Sequence, residues 1–72
     1  MDKGKRYQIV CMKQLPAALR STLIAFGMIP GQTFHVEYLS MKKDLIHIRT
    51  NWGDAYGLSL TEMAQIGTIE YT

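Results

Sequence analysis

The apolar positions of this chain change their spacing several times, and each change marks an element. From Arg6 to Met12 they alternate weakly, with Tyr7, Ile9 and Cys11 on one face and Gln8, Val10 and Met12 on the other, which predicts a strand. Pro16 is placed as a first helical residue, where its missing N–H costs little. Leu19, Leu23 and Phe26 follow at i, i+4 and i+7, one apolar stripe on a helix of about three turns. Alternation returns from Thr33 to Leu39 and again from Leu45 to Thr50, two strands joined by a hairpin loop around Ser40-Met41-Lys42-Lys43. Asn51-Trp52-Gly53-Asp54 reads as the next turn and Tyr56 to Leu60 as a fourth strand. Thr61 is placed to cap a brief helical turn through Glu62, Met63, Ala64 and Gln65, and Gly67 releases the chain into a last strand, Thr68 to Tyr71.

Between the helix and the second strand the sequence Leu23-Ile24-Ala25-Phe26-Gly27-Met28-Ile29-Pro30-Gly31 carries two turn devices. Gly27 suits the left-handed residue that closes a helix, which puts Met28 at the position that packs back on Leu23. Pro30-Gly31 fits the centre of a type II turn, proline fixing φ and glycine supplying the positive φ after it. Both glycines are therefore expected at positive φ. Five short strands, one helix after the first of them and regular turns predict a small closed or nearly closed barrel.

Composition narrows the class. A chain of 72 residues suits a single domain over residues 1–72, and 47% hydrophobic residues argue against disorder. Net charge is +2, with cations and acids interspersed, which is no nucleic-acid footprint. Cys11 is the only cysteine, so an internal disulfide is impossible and a reducing compartment is the natural home; its apolar strand argues for a buried, inert thiol. No stretch approaches the roughly 20 apolar residues of a membrane span. A cytoplasmic location follows, with any membrane role exerted through a partner.

These residues together are similar to the FeoA family of bacterial ferrous iron uptake. The likeness rests on Leu23 through Gly31, the strand Phe34-His35-Val36, the strand Asp44 to Ile48, and the closing Leu58-Ser59-Leu60, Glu62-Met63-Ala64 and Ile66. Lys43-Asp44-Leu45 departs from the family's usual glycine, aspartate, proline. The resemblance implies an SH3-like five-stranded barrel with an inserted helix. It also implies an accessory role to FeoB, a membrane transporter whose cytosolic GTP-binding domain the small protein would contact. No cofactor is implied.

Candidate chemistry is sparse. The phosphate loop, the nucleophile elbow and the H-E-x-x-H zinc motif are all missing, so no enzyme is expected. With Phe34, Val36 and Tyr38 turned inward against Ile46 and Ile48, Phe34 pairs with Ile48 and Val36 with Ile46. That pairing sets His35 across from His47 on the outer face, with Glu37 and Arg49 nearby, close enough for two imidazoles to share a first-row metal. Two imidazoles are an incomplete site, so solvated polar residues are the plainer account, and a metal-responsive regulator using His35, His47 and Glu37 is the alternative. The basic pairs Lys5-Arg6 and Lys42-Lys43 lack an aromatic stacking platform, which leaves an RNA-binding barrel as a weaker alternative and no nucleic acid expected. Met28, Ile29, Trp52 and Tyr56 are more apolar than their turn positions require and form the candidate partner-binding set. For Trp52 the competing reading is a plug in one barrel end, and for Met28 and Ile29 it is cap packing.

Overall fold

The computed structural model describes residues 1–71. Strand β1 (Arg6–Cys11) leads through a turn into helix α1 (Ala17–Ala25), followed by β2 (Thr33–Ser40), β3 (Leu45–Thr50), β4 (Ala55–Leu58), the short helix α2 (Leu60–Ala64) and β5 (Gly67–Glu70). The strands form one antiparallel sheet in the order β4-β3-β2-β1-β5. The fold is mainly β, as the spacing predicts, and is compatible with an SH3-like barrel. The sheet is nevertheless not closed. β4 and β5 remain edges, each of only four residues, and short edges are one way a sheet limits unwanted pairing.

One core draws on every element except β5, none of whose residues is buried. Ile9, Leu23, Met28, Phe34, Val36, Ile46, Ile48 and Leu58 are essentially sealed from solvent, with Met12, Leu15, Met63 and Ile66 around them. Helix α1 sends a single fully buried side chain, Leu23, into this core, with Leu19 packed beside it. Pro16 precedes the helix as its N-cap with extended ψ, one place earlier in role than the sequence suggests. Phe26, the last member of the predicted stripe, lies at the surface.

Helix α2 is anchored differently from the expectation that Thr61 caps it. The cap is Ser59. Its hydroxyl accepts from the Glu62 N–H at 2.9 Å, and the Glu62 carboxylate accepts from the Ser59 N–H at 2.9 Å, a reciprocal capping box. The Asp44 carboxylate adds a third bond, accepting from the Leu60 N–H at 3.1 Å. Asp44 has φ 50, a left-handed value that aspartate tolerates because its short polar side chain can bond locally. The β2–β3 turn thus holds the start of α2.

Two irregularities alter which side chains meet. In β1 the pairing with β5 shifts between Ile9 and Cys11, leaving Val10 exposed and Met12 buried. Cys11 is only half-buried, its Cβ within 3.2 Å of where a side chain on Gly67 would begin. The buried inert thiol expected from sequence is thus only partly shielded. In β2 a bulge falls between Val36 and Tyr38: Val36 pairs with Ile48, Tyr38 with His47 and Leu39 with Ile46. The extra residue is Glu37, and past it the inward position passes to Leu39 while Tyr38 turns outward, 40% exposed.

Candidate interaction surface

The surface that gathers most of the predicted partner-binding residues is built at the end of α1. Phe26 is the half-helical residue, Gly27 has φ 82, the Gly27 N–H bonds the Ile24 carbonyl at 2.9 Å and the Met28 N–H bonds the Leu23 carbonyl at 3.0 Å. That pair of bonds is the Schellman cap. It turns Met28 directly into the core beside Leu23, where Met28 is 1% exposed. Met28 therefore belongs to the cap packing and is not available to a partner. Next, the Gln32 N–H returns to the Ile29 carbonyl at 3.0 Å with Gly31 at φ 95, the type II turn expected at Pro30-Gly31. Ile29 is left partly exposed.

The turn between β3 and β4 delivers the second half of the surface. Thr50 is buried and organises this turn: its N–H bonds the Asp54 carbonyl at 2.8 Å, its carbonyl accepts from Gly53, and its hydroxyl accepts from the Asp54 N–H at 3.2 Å. Asn51 ties the turn back to the start of β2 by accepting from the Thr33 hydroxyl at 2.8 Å and donating to Gln32. Held this way, the turn lays the Trp52 indole on Gly27. A Cβ at Gly27 would lie 2.6 Å from Trp52 Nε1, so the ring rests on bare backbone. Trp52 does not plug the barrel. It covers the helix cap from outside and stays 70% exposed.

Beside it, Phe26 and Tyr56 stack with ring centroids 5.0 Å apart at 52°. Tyr56 is half-buried, Phe26 lies at the surface, and Ile24 on the last turn of α1 is 48% exposed. The structure thus places Trp52 on the helix cap and Tyr56 against Phe26, leaves Ile29 partly exposed just past the cap, removes Met28, and adds Phe26 and Ile24 as exposed apolar residues at the end of α1. The signal for Phe26 is its place at the C-cap, where a helical stripe has already swung away from the core.

The outer face of the sheet holds the metal candidates, and their predicted pairing is not observed. His35 lies across from Arg49, Phe34 from Thr50 and Val36 from Ile48. His47 pairs with Tyr38 on one side and with Gly57 on the other. The two histidines share the outer face as expected but are not opposite each other, because the predicted alternation allowed for neither the bulge nor the true position of the turn. Each ring has its own partner. His35 Nε2 lies 3.1 Å from Arg6 Nη2, and since guanidinium only donates, this nitrogen is the acceptor. The His47 ring meets Tyr38 edge-on at 5.9 Å and fills the space above Gly57, which has no side chain of its own. Glu37 accepts from Arg49 Nε at 2.8 Å, while Arg49 Nη1 donates to the Gly53 carbonyl. The Arg49 hydrogen bond holds the Glu37 carboxyl below its ordinary range, with the charges of Arg49, His35 and His47 acting in the same direction. Among the described residues no three His, Cys, Asp or Glu side chains gather closely enough to hold a metal ion.

Comparison with known proteins gives a consistent placement. The family model described as the FeoA domain matches residues 1–68 of the 72. Among curated proteins, none matches the chain. With the helix cap, the type II turn and the five-stranded antiparallel sheet all in place, and with the family match running over nearly its whole length, the chain belongs to the FeoA family, a family of small accessory proteins of ferrous iron transport.

Proposed function

We propose that this protein is a non-enzymatic, cytoplasmic accessory of ferrous iron uptake. It binds the cytosolic GTP-binding domain of an FeoB-type membrane transporter through the surface around Trp52 and modulates the transporter's assembly or activity. Family membership supports the transport role. The observation that carries the contact is an indole 70% exposed that lies on Gly27, next in the chain to Phe26, which stacks on Tyr56. An aromatic side chain exposed in the free protein, on a surface that carries other exposed apolar residues, is the kind of anchor that dominates binding when a partner covers it. No helix among the described residues is long and apolar enough to cross a membrane, in keeping with action through a membrane partner.

The test is capture of the transporter's cytosolic domain by immobilised protein. Trp52→Ala should weaken capture at least about tenfold, since truncating a central anchor costs about 2 kcal/mol or more. His35→Ala/His47→Ala should leave it nearly unchanged. A correctly folded Trp52→Ala protein that binds normally, together with a double histidine variant that fails, would replace this reading with the metal-responsive one.

A further inference from the structure

The end of the molecule away from Trp52 carries a second apolar concavity. Strand β3 begins at Leu45 beside the β2–β3 turn and ends at Thr50 beside the Trp52 turn. A strand of this length separates its ends by about 17–20 Å. At the Leu45 end lies an open groove of about 390 Å³ lined by Leu39, Met41, Ile46, Leu60, Met63 and Ile66. Ile46 is sealed, Leu39 and Leu60 are half-buried, and Met41 stands 81% exposed. Met1 and Ala64 complete its apolar wall, and among the described residues Thr68 supplies the one polar side chain at the groove. Small-molecule sites orient their ligands with several placed polar groups, and one hydroxyl does not supply that. An apolar concavity with methionine at its wall and rim suits the side chains of another polypeptide, since flexible thioethers adapt to what they cover.

Charge narrows the kind of polypeptide. Lys42 and Lys43 follow Met41 in the exposed turn, and neither has an ion-pair partner among the described residues. The carboxylates of this turn and of α2 are already engaged with backbone donors, Asp44 with the Leu60 N–H and Glu62 with the Ser59 N–H. The exposed turn that follows Met41 thus presents two unpaired ammonium groups to solvent, while the Asp44 and Glu62 carboxylates face the backbone donors at the start of α2. We propose that it docks an amphipathic segment of a protein partner, apolar side chains entering the groove and acidic residues beside them meeting Lys42 and Lys43. The reading is independent of the Trp52 surface.

The probe is a synthetic helical peptide of about four turns with leucines at i, i+3, i+4 and i+7 and glutamates flanking them, compared with the same peptide carrying lysines instead. At low salt the glutamate peptide should bind at least about tenfold more tightly than the lysine peptide. Its NMR shift changes should centre on Leu39, Met41, Leu60 and Ile66. Met41→Glu, at a side chain exposed enough to change without disturbing the core, and Lys42→Glu/Lys43→Glu should each weaken binding about tenfold, whereas Trp52→Ala should bind normally. The proposal is overturned if neither peptide binds, if the two bind equally, if Met41→Glu binds like wild type, or if the shifts centre on Trp52. It is also overturned if vesicles of phosphatidylserine in phosphatidylcholine capture the protein through Met41 in preference to the peptide, which would make the occupant a lipid surface.

Discussion

A side chain at position 27 would meet two separate obstacles. The backbone is left-handed there, at φ 82, and the Trp52 ring lies 2.6 Å from where the Cβ would sit. Gly27→Ala should therefore cost about 1 kcal/mol from the backbone alone and more from displacing the indole. Urea unfolding of Gly27→Ala in the wild-type and Trp52→Ala backgrounds separates the two: the loss should be smaller where the indole is gone, and equal losses would mean the ring does not rest on the glycine in solution. The Glu37–Arg49 pair gives a second residue-scale expectation. Because the folded carboxyl titrates below its unfolded value, its contribution to stability is present above the unfolded value and is lost as pH falls through the folded one. The Glu37 carboxyl carbon, followed by NMR, should titrate below a free glutamate, and Arg49→Ala should move the midpoint upward; an unchanged midpoint would show the ion pair absent in solution. The need for glycine at 27 was legible in the sequence, since helix caps and type II turns impose local φ requirements. That an indole would settle over it was not, because this contact joins turns 25 residues apart in sequence (52 − 27) through tertiary folding.

Elements were readable to the extent that their pattern was local. β3 was legible from end to end, because Leu45 to Thr50 alternates without interruption. In β2 the apolar residues Phe34 and Val36 face inward as their alternation predicts, but the extra residue at Glu37 turns Tyr38 outward, and the true position of the hairpin turn sets His35 across from Arg49 instead of His47. Nothing in the alternation marks a bulge, since Tyr38 and Leu39 are both plausible inward residues. The start of α2 did carry a signal. Ser59-Leu60-Thr61-Glu62 is a capping box in sequence, masked because Leu58-Ser59-Leu60 also alternates like a strand. Ser59→Ala should cost about 1 kcal/mol of stability in chemical denaturation. Asp44 is more informative, since it caps α2 from another element. Asp44→Asn keeps an acceptor and tolerates φ 50, so it should lie within about 0.5 kcal/mol of wild type, while Asp44→Ala should lose about 1–2 kcal/mol. Equal stability of the two variants would mean that the turn does not hold the helix.

At the scale of the whole molecule, one small core must hold five strands and two helices. Helix α1 is joined to it chiefly by Leu23, which is fully buried. Truncating such a side chain costs about 2–5 kcal/mol, and a domain this small rarely has more than about 3–5 kcal/mol of core stabilisation to lose. Leu23→Ala should therefore lack a cooperative thermal transition by circular dichroism, and a well-folded variant would show that α1 is not needed to hold the sheet. The same economy leaves the two proposed contact surfaces at opposite ends of β3, where the turns project beyond the core. Their separation has a practical consequence through Trp52. It is the chain's only tryptophan, and it sits in water at one of those ends. Its native emission is thus a built-in optical reporter of that corner alone: a partner that covers the helix cap should shift the spectrum to the blue, while a peptide lodged in the distant groove should leave it unmoved.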